Sequence, residues 1–224
     1  MSLNTETSLL SQVDGSASWK CGHTSIICSV SGPMESKRRN ELPTLATLEL
    51  VVRPAISLSS TREALIKDRL YSVLSAVILR QLHPRSLIQI VLQILEPGED
   101  LQFNILELAT CINAATLALI DAGIPLRATV AATAVAITQS GEYIVDPTRE
   151  QLNEPETEST HVFAYMIRSD NKATDLILVE SLGSFTQEQL LSGIQMAAEH
   201  CEKVSLDIRA TVSNKVKRDF IWTE

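Results

Sequence analysis

Apolar positions change their period several times along this chain, and each change marks an element. From Ile105 to Ala122 (ILELATCINAATLALIDA) they are nearly continuous. The polar exceptions Glu107, Thr110, Asn113 and Thr116 come three apart, so they drift around a helix without forming a single wet face. This predicts a helix buried on most sides. Asn104 is a good N-cap, Glu107 can reach back to its amide, Gly123 suits a left-handed C′ residue and Pro125 forbids continuation. Caps at both ends, two internal polar groups and flanking strand patterns argue against a membrane span.

Ahead of that helix, Ala17–Lys20 and Ser25–Ser31 read as strands joined by the turn Cys21-Gly22-His23-Thr24, with Gly32-Pro33 ending the second. Met34–Asn40 reads as a polar loop carrying Lys37, Arg38 and Arg39, and Leu45–Arg53 as a third strand closed by Pro54. Ser60 and Glu63 form a capping box before Arg62–Leu82, where Ile66, Leu70, Val73, Leu74, Val77 and Ile78 step by threes and fours. Ser86–Leu95 is then a strand, and Glu96–Asp100 a tight acidic connection. Beyond Pro125 come a strand at Ala128–Thr138, a turn at Gln139–Glu142 and a short strand ending at Asp146-Pro147-Thr148. Arg149–Ser159 is expected as a surface loop, followed by strands at Thr160–Ile167 and Thr174–Glu180. Thr186 with Gln189 caps a last helix, whose stripe Leu190, Ile194, Ala197, Cys201, Val204, Ile208 and Val212 implies core packing over about seven turns. The expectation is one mixed α+β domain of about nine strands and three principal helices. Its bounds are a short polar lead at 1–8, the domain at 9–214 and a tail at 215–224.

With 224 residues, 45% of them hydrophobic, the chain can close one core. A net charge of −8 argues against a free-standing nucleic-acid binder, so any RNA contact must come from a local patch or from partner chains. Cys21, Cys28, Cys111 and Cys201 show no C-x-x-C spacing and read as reduced thiols, and Met1–Leu10 lacks the basic run and apolar core of a signal peptide. These point to a cytosolic or nuclear protein. No phosphate-cradling glycine motif occurs, and His23, His83, His161 and His200 share no spacing, so neither a cofactor nor a metal site is expected. Asp146 could be a general acid or base, but beside Pro147 at a strand end it is better read as a hydrogen-bond acceptor. Lys37, Arg38 and Arg39 suit either a solvated loop tip or a phosphate contact. Arg62 is a weaker candidate for RNA, since a cation at the first turn opposes the helix dipole and needs some other reason to be there.

Five segments together resemble the RNase PH family over roughly residues 9 to 212. They are Asp14-Gly15-Ser16-Ala17, Gly32-Pro33-x-Glu35, Val52-Arg53-Pro54, the run from Ile112-Asn113-Ala114-Ala115 to Gly123-Ile124-Pro125-Leu126, and Val145-Asp146-Pro147-Thr148. The wording of Glu41–Ala55 is most similar to non-catalytic ring subunits of the eukaryotic RNA exosome. The resemblance implies an RNase PH-like fold of the ribosomal protein S5 domain 2-like type, two-layered and α+β, in a six-membered ring around an RNA channel. Implied partners are other RNase PH-like ring subunits, cap subunits and RNA passing through the channel. The implied location is nucleus, nucleolus and cytoplasm. Active members resemble A-D-G-G-T-R-T-A before the I-N-A-A segment, with the arginine binding the attacking phosphate. Here Leu108 falls at that arginine, Glu107 lies beside it, and Gly98-Glu99-Asp100-Leu101-Gln102 replaces the glycine-rich loop. Active members also carry acidic catalytic residues in an A-x-x-D-M-N-V type segment, where this chain has Glu158-Ser159-Thr160-His161-Val162. The comparison therefore implies a degenerate phosphate site at Glu99, Asp100, Glu107 and Leu108, no catalytic residues, and a supporting role in 3′–5′ RNA processing. The alternative is an active phosphate-dependent 3′–5′ exoribonuclease. The resemblance also places Lys37, Arg38 and Arg39 at a loop lining the narrow part of the channel.

Overall fold

Along β3 (Thr24–Glu35) and β5 (Ser86–Glu96) alternate residues are buried, among them Ile26, Cys28, Val30, Ile88, Ile90, Leu92 and Ile94, so this sheet packs on one face and leaves the other open. The computed structural model describes residues 3–56, 58–154 and 157–220. The first sheet has the order β1-β2-β3-β5-β4, with β1 at Leu3–Thr7, β2 at Gly15–Cys21 and β4 at Thr47–Arg53. Its neighbours are antiparallel except β4 and β5, which are parallel and joined through α1 (Thr61–Val77), the crossover that a parallel pair requires.

A second sheet has the order β7-β6-β8-β9, from β6 (Thr129–Thr138), β7 (Tyr143–Val145), β8 (Thr157–Ile167) and β9 (Ala173–Gly183). Val130–Thr138 of β6 and Ser159–Ile167 of β8 are buried throughout, which means that both faces of their sheet are covered. Helix α2 (Ile105–Asp121) lies between the sheets, against β2 and β3 on one side and β6 and β8 on the other. Every residue from Ile105 to Leu119 is buried, so the sequence expectation for this helix holds. Helix α4 (Gln187–Asp219) lies over β6 and β8, where the Tyr165 hydroxyl donates to the Ile194 carbonyl at 2.8 Å. Among the described residues no helix is long and apolar enough to cross a membrane.

Several boundaries differ from the sequence reading. The polar lead contains a strand: Leu3–Thr7 pairs with Cys21–Ala17, an edge position that tolerates polar side chains. Strand β3 runs on through Gly32-Pro33 by a register shift, with the Gly32 amide held by Asp14 at 2.7 Å. Helix α1 stops at Val77, five residues early, because Ile78 bridges to Leu126 and the Leu79 amide bonds to the Pro125 carbonyl instead of within the helix. In the expected loop Arg149–Ser159, Thr148 and Gln151 form a capping box that starts the short helix α3 (Arg149–Asn153), and β8 begins already at Thr157. Residues 155 and 156 of that loop lie outside the described residues. Residues 215–219 of the expected tail are the last turn of α4.

Asp121 joins the ends of these elements. At the C-terminal end of α2 its side chain accepts from the Ser16 amide at 2.9 Å and the Ser8 hydroxyl at 2.9 Å, and pairs with Lys215 of α4. The loop before β2, the end of α2 and the end of α4 are thus tied to one carboxylate. The approach is close enough that a Cβ on Gly15 would stand 2.3 Å from the Ala122 amide nitrogen, so only glycine fits there. Replacing Asp121 by Ala strands a buried amide and a lysine together, and should lower unfolding stability by about 3 kcal/mol in urea titrations. A loss within experimental error would show that the junction does not depend on this carboxylate.

Candidate functional site

The candidate site is the N-terminal end of α2. A helix this deeply enclosed leaves its first amides without water, so an acceptor must be brought to them. Asn104 was expected to cap it, but no side-chain cap bond is made by Asn104. The acceptor comes from the preceding loop: Glu99 takes the Leu106 amide on Oε2 at 3.1 Å and the Glu107 amide on Oε1 at 3.0 Å. A carboxylate of the chain itself therefore sits where the helix would otherwise attract an external anion.

Arg62 completes the arrangement from the first turn of α1. Its Nη1 is 2.7 Å from Glu107 Oε2 and 3.7 Å from Glu63 Oε1, and its Nη2 is 3.6 Å from Glu99 Oε1. Its Nε also donates to the Phe103 carbonyl at 3.0 Å. This is the other reason for a cation at that first turn. The guanidinium is already engaged inside the protein, with its side chain 15% exposed. Glu63 in turn closes the predicted capping box, accepting from the Ser60 amide and hydroxyl at 2.6 Å each.

Burial pushes the Glu99 carboxyl up to about 7, outweighing the two amide bonds that favour its charged form. Burial also raises Glu107, against the opposing pull of Arg62. Asp100 behaves differently. It turns to α3, where Asn153 at 2.6 Å and then Arg149 hold its carboxyl below the usual range. Leu108 is fully buried and its amide bonds to the Asn104 carbonyl at 3.0 Å, so this position offers no charged group to the cleft. The four residues of the degenerate phosphate site are thus brought to one helix end, with Glu99 and Glu107 as ion-pair partners of Arg62. Around them lies a cleft of about 520 Å³, walled by Pro54, Ile56, Pro97, Leu101 and Arg149.

On β8, beside this end of α2, the segment Ser159–Val162 carries no carboxylate, and Glu158 is exposed. His161 is instead enclosed, bonded to Ser159 at 3.0 Å and Ser181 at 2.8 Å and edge-on to Phe185, and burial lowers its pKa. Asp146 serves as an acceptor, as expected, but its donors come from two strands: the Thr133 hydroxyl at 3.2 Å and the Ala134 amide at 3.4 Å on β6, and the Cys21 thiol at 3.9 Å on β2. Lys37, Arg38 and Arg39 are exposed at a turn closed by the Asn40 amide on the Lys37 carbonyl. Among the described residues none of the three is in an ion pair, and no cluster of three or more His, Cys, Asp or Glu could hold a metal ion.

Residues 2–125 match the family model described as 3′ exoribonuclease family, domain 1, and the chain belongs to this RNase PH family. More particularly, it is 41% identical over 219 residues to the exosome complex component RRP46 of Saccharomyces cerevisiae, covering 96% of this chain and 97% of that protein. To exosome complex component rrp46 of Schizosaccharomyces pombe it is 37% identical over 202 residues, 88% of this chain and 83% of the relative. The crystal structure of rice Rrp46 has the same fold, with a TM-score of 0.85 at 24% identity over 95% of this chain and 94% of that one.

The raised Glu99 carboxyl has a measurable consequence. The folded chain holds this proton up to about pH 7, while an unfolded chain releases it near 4.5, so folding takes up a proton between these values. Stability from this group is therefore full below about 4.5 and falls as pH rises to 7, by on the order of 1–3 kcal/mol. Glu99→Gln removes the titration. The difference in unfolding free energy between wild type and variant should slope across pH 4.5 to 7 and flatten above it; a difference independent of pH would mean that Glu99 is ionised throughout.

Proposed function

We propose that this protein is a ring subunit of the RNA exosome, of the RRP46 kind, which supports 3′–5′ RNA processing without phosphorolytic chemistry of its own. One observation carries the second half of that statement: the amides at the start of α2 are already bound by Glu99, and Arg62 is already bound by Glu107. Phosphorolysis needs an anion held there by donors, and here the donors face carboxylates. The relatives named as exosome components support the first half. The partners are then other RNase PH-like ring subunits and cap subunits, with RNA in the assembled channel, in nucleus and cytoplasm. The family description as 3′ exoribonucleases favours a second reading, an active phosphate-dependent exonuclease.

The two readings differ in a direct assay. Purified chain, given single-stranded RNA in phosphate buffer, should release no nucleoside diphosphates. Phosphate-dependent shortening that disappears on replacing a residue at the α2 terminus would favour the enzyme.

The exposed cations Lys37, Arg38 and Arg39 suit contacts with the RNA backbone that carry no base preference. In the assembled complex, replacing all three by Ser should weaken RNA binding and make its dependence on salt shallower, by ~2 in the logarithmic slope if each holds one phosphate. Unchanged affinity and slope would leave this subunit with an architectural role alone.

A further inference from the structure

The cleft at the start of α2 is lined by four carboxyl groups, Glu63, Glu99, Asp100 and Glu107, against two guanidiniums, Arg149 paired with Asp100 and Arg62 shared by the other three. With any one of the four protonated, its charge is still negative. The imbalance has a location. Glu107 is 1% exposed, its Oε2 is taken by Arg62, and its Oε1 has no hydrogen-bond partner among the described residues. A buried carboxylate oxygen without a donor is costly, and Glu107 is one of the residues around a cleft large enough to admit one.

We infer that this cleft is a socket for a cationic side chain of a neighbouring polypeptide, an arginine or lysine whose N–H groups complete the coordination of Glu107. A phosphate or an RNA backbone is the wrong charge for it. A metal ion is also a poor match, since no three acidic, His or Cys side chains are grouped to ligate one among the described residues. A protein donor suits the surroundings. Ile56 and Leu101 on the walls are both 85% exposed and Leu58 nearby is 89% exposed, the most exposed large apolar side chains described. An apolar rim around a desolvated charge is how an interface centre is built. The cation would enter past this rim, and Arg149 on the far wall cannot substitute because Asp100 holds it.

The identity of the neighbour rests on the assembly reading above, with a ring subunit as the donor. The test uses the full chain reconstituted with its ring partners. Glu107→Gln keeps the side-chain shape and removes the charge, and should weaken joining to the neighbour by about tenfold or more while making it less sensitive to salt. Joining with unchanged affinity and salt dependence would overturn the socket. In case the variant does not fold, hydroxyl-radical footprinting of the wild-type complex gives the same decision: Ile56 and Leu101 should lose most of their labelling on assembly, and full labelling in the complex overturns the proposal. A wild-type chain that joins no RNase PH-like subunit would overturn the assembly reading itself, an outcome distinct from normal joining by the variant.

Discussion

The structure depends on one constraint: α2 is enclosed between two sheets, so the backbone polar groups at its ends must be satisfied from within the protein. At the C-terminal end the last carbonyls are taken by the amides of Gly123, on Ile120 at 3.1 Å, and Ile124, on Leu119 at 3.1 Å, while Asp121 and the close approach of Gly15 tie the helix to β2 and α4. At the N-terminal end the task falls to Glu99, reaching back from the loop after β5. A buried carboxylate needs a cation in turn, which Arg62 brings from α1, and Arg62 is steered by Glu107 and the Phe103 carbonyl. One helix end thereby orders the loop, α1 and the edge of the cleft together.

The same satisfaction removes an anion site. A helix N-terminus attracts an anion by about 0.3–1 kcal/mol, or ~2 where partly buried. Above about pH 7, where Glu99 is ionised, a phosphate entering here would meet Glu99 and Glu107, and one like-charge pair at about 4 Å costs about 4 kcal/mol at an effective dielectric near 20. Repulsion exceeds the helix's attraction even with Arg62 present, because that guanidinium is already paired. Together with Leu108 buried in the core and His161 enclosed on β8, this leaves a cleft that accepts donors and not phosphate.

The elements most legible in the sequence were those set by local signals. The continuous apolar run of α2 and the capping boxes at Ser60 and Thr186 needed only neighbouring residues to be read. The box at Thr148 carries the same T-x-x-Q signal as Thr186, but the run after it is charged, a composition shared by loops and short exposed helices. Strand β1 was hidden for a similar reason, since an edge strand shows no apolar alternation of its own. At the site, the residues of the degenerate phosphate position can be named as a group from the sequence, yet their arrangement is not visible there. Glu99 caps α2 across seven and eight residues, beyond the span of a capping box, and Arg62 meets Glu107 across 45. Such pairs exist only once the loop and α1 have been folded against α2.

The central claim is that the start of α2 is occupied by the protein's own carboxylate and is closed to phosphate. Amide NMR spectra of the full chain, recorded while inorganic phosphate is titrated into the millimolar range, test this at the atoms concerned. The account predicts that the Leu106 and Glu107 amide resonances stay in place, because Glu99 already accepts their protons. Saturable displacement of both resonances by phosphate would contradict it.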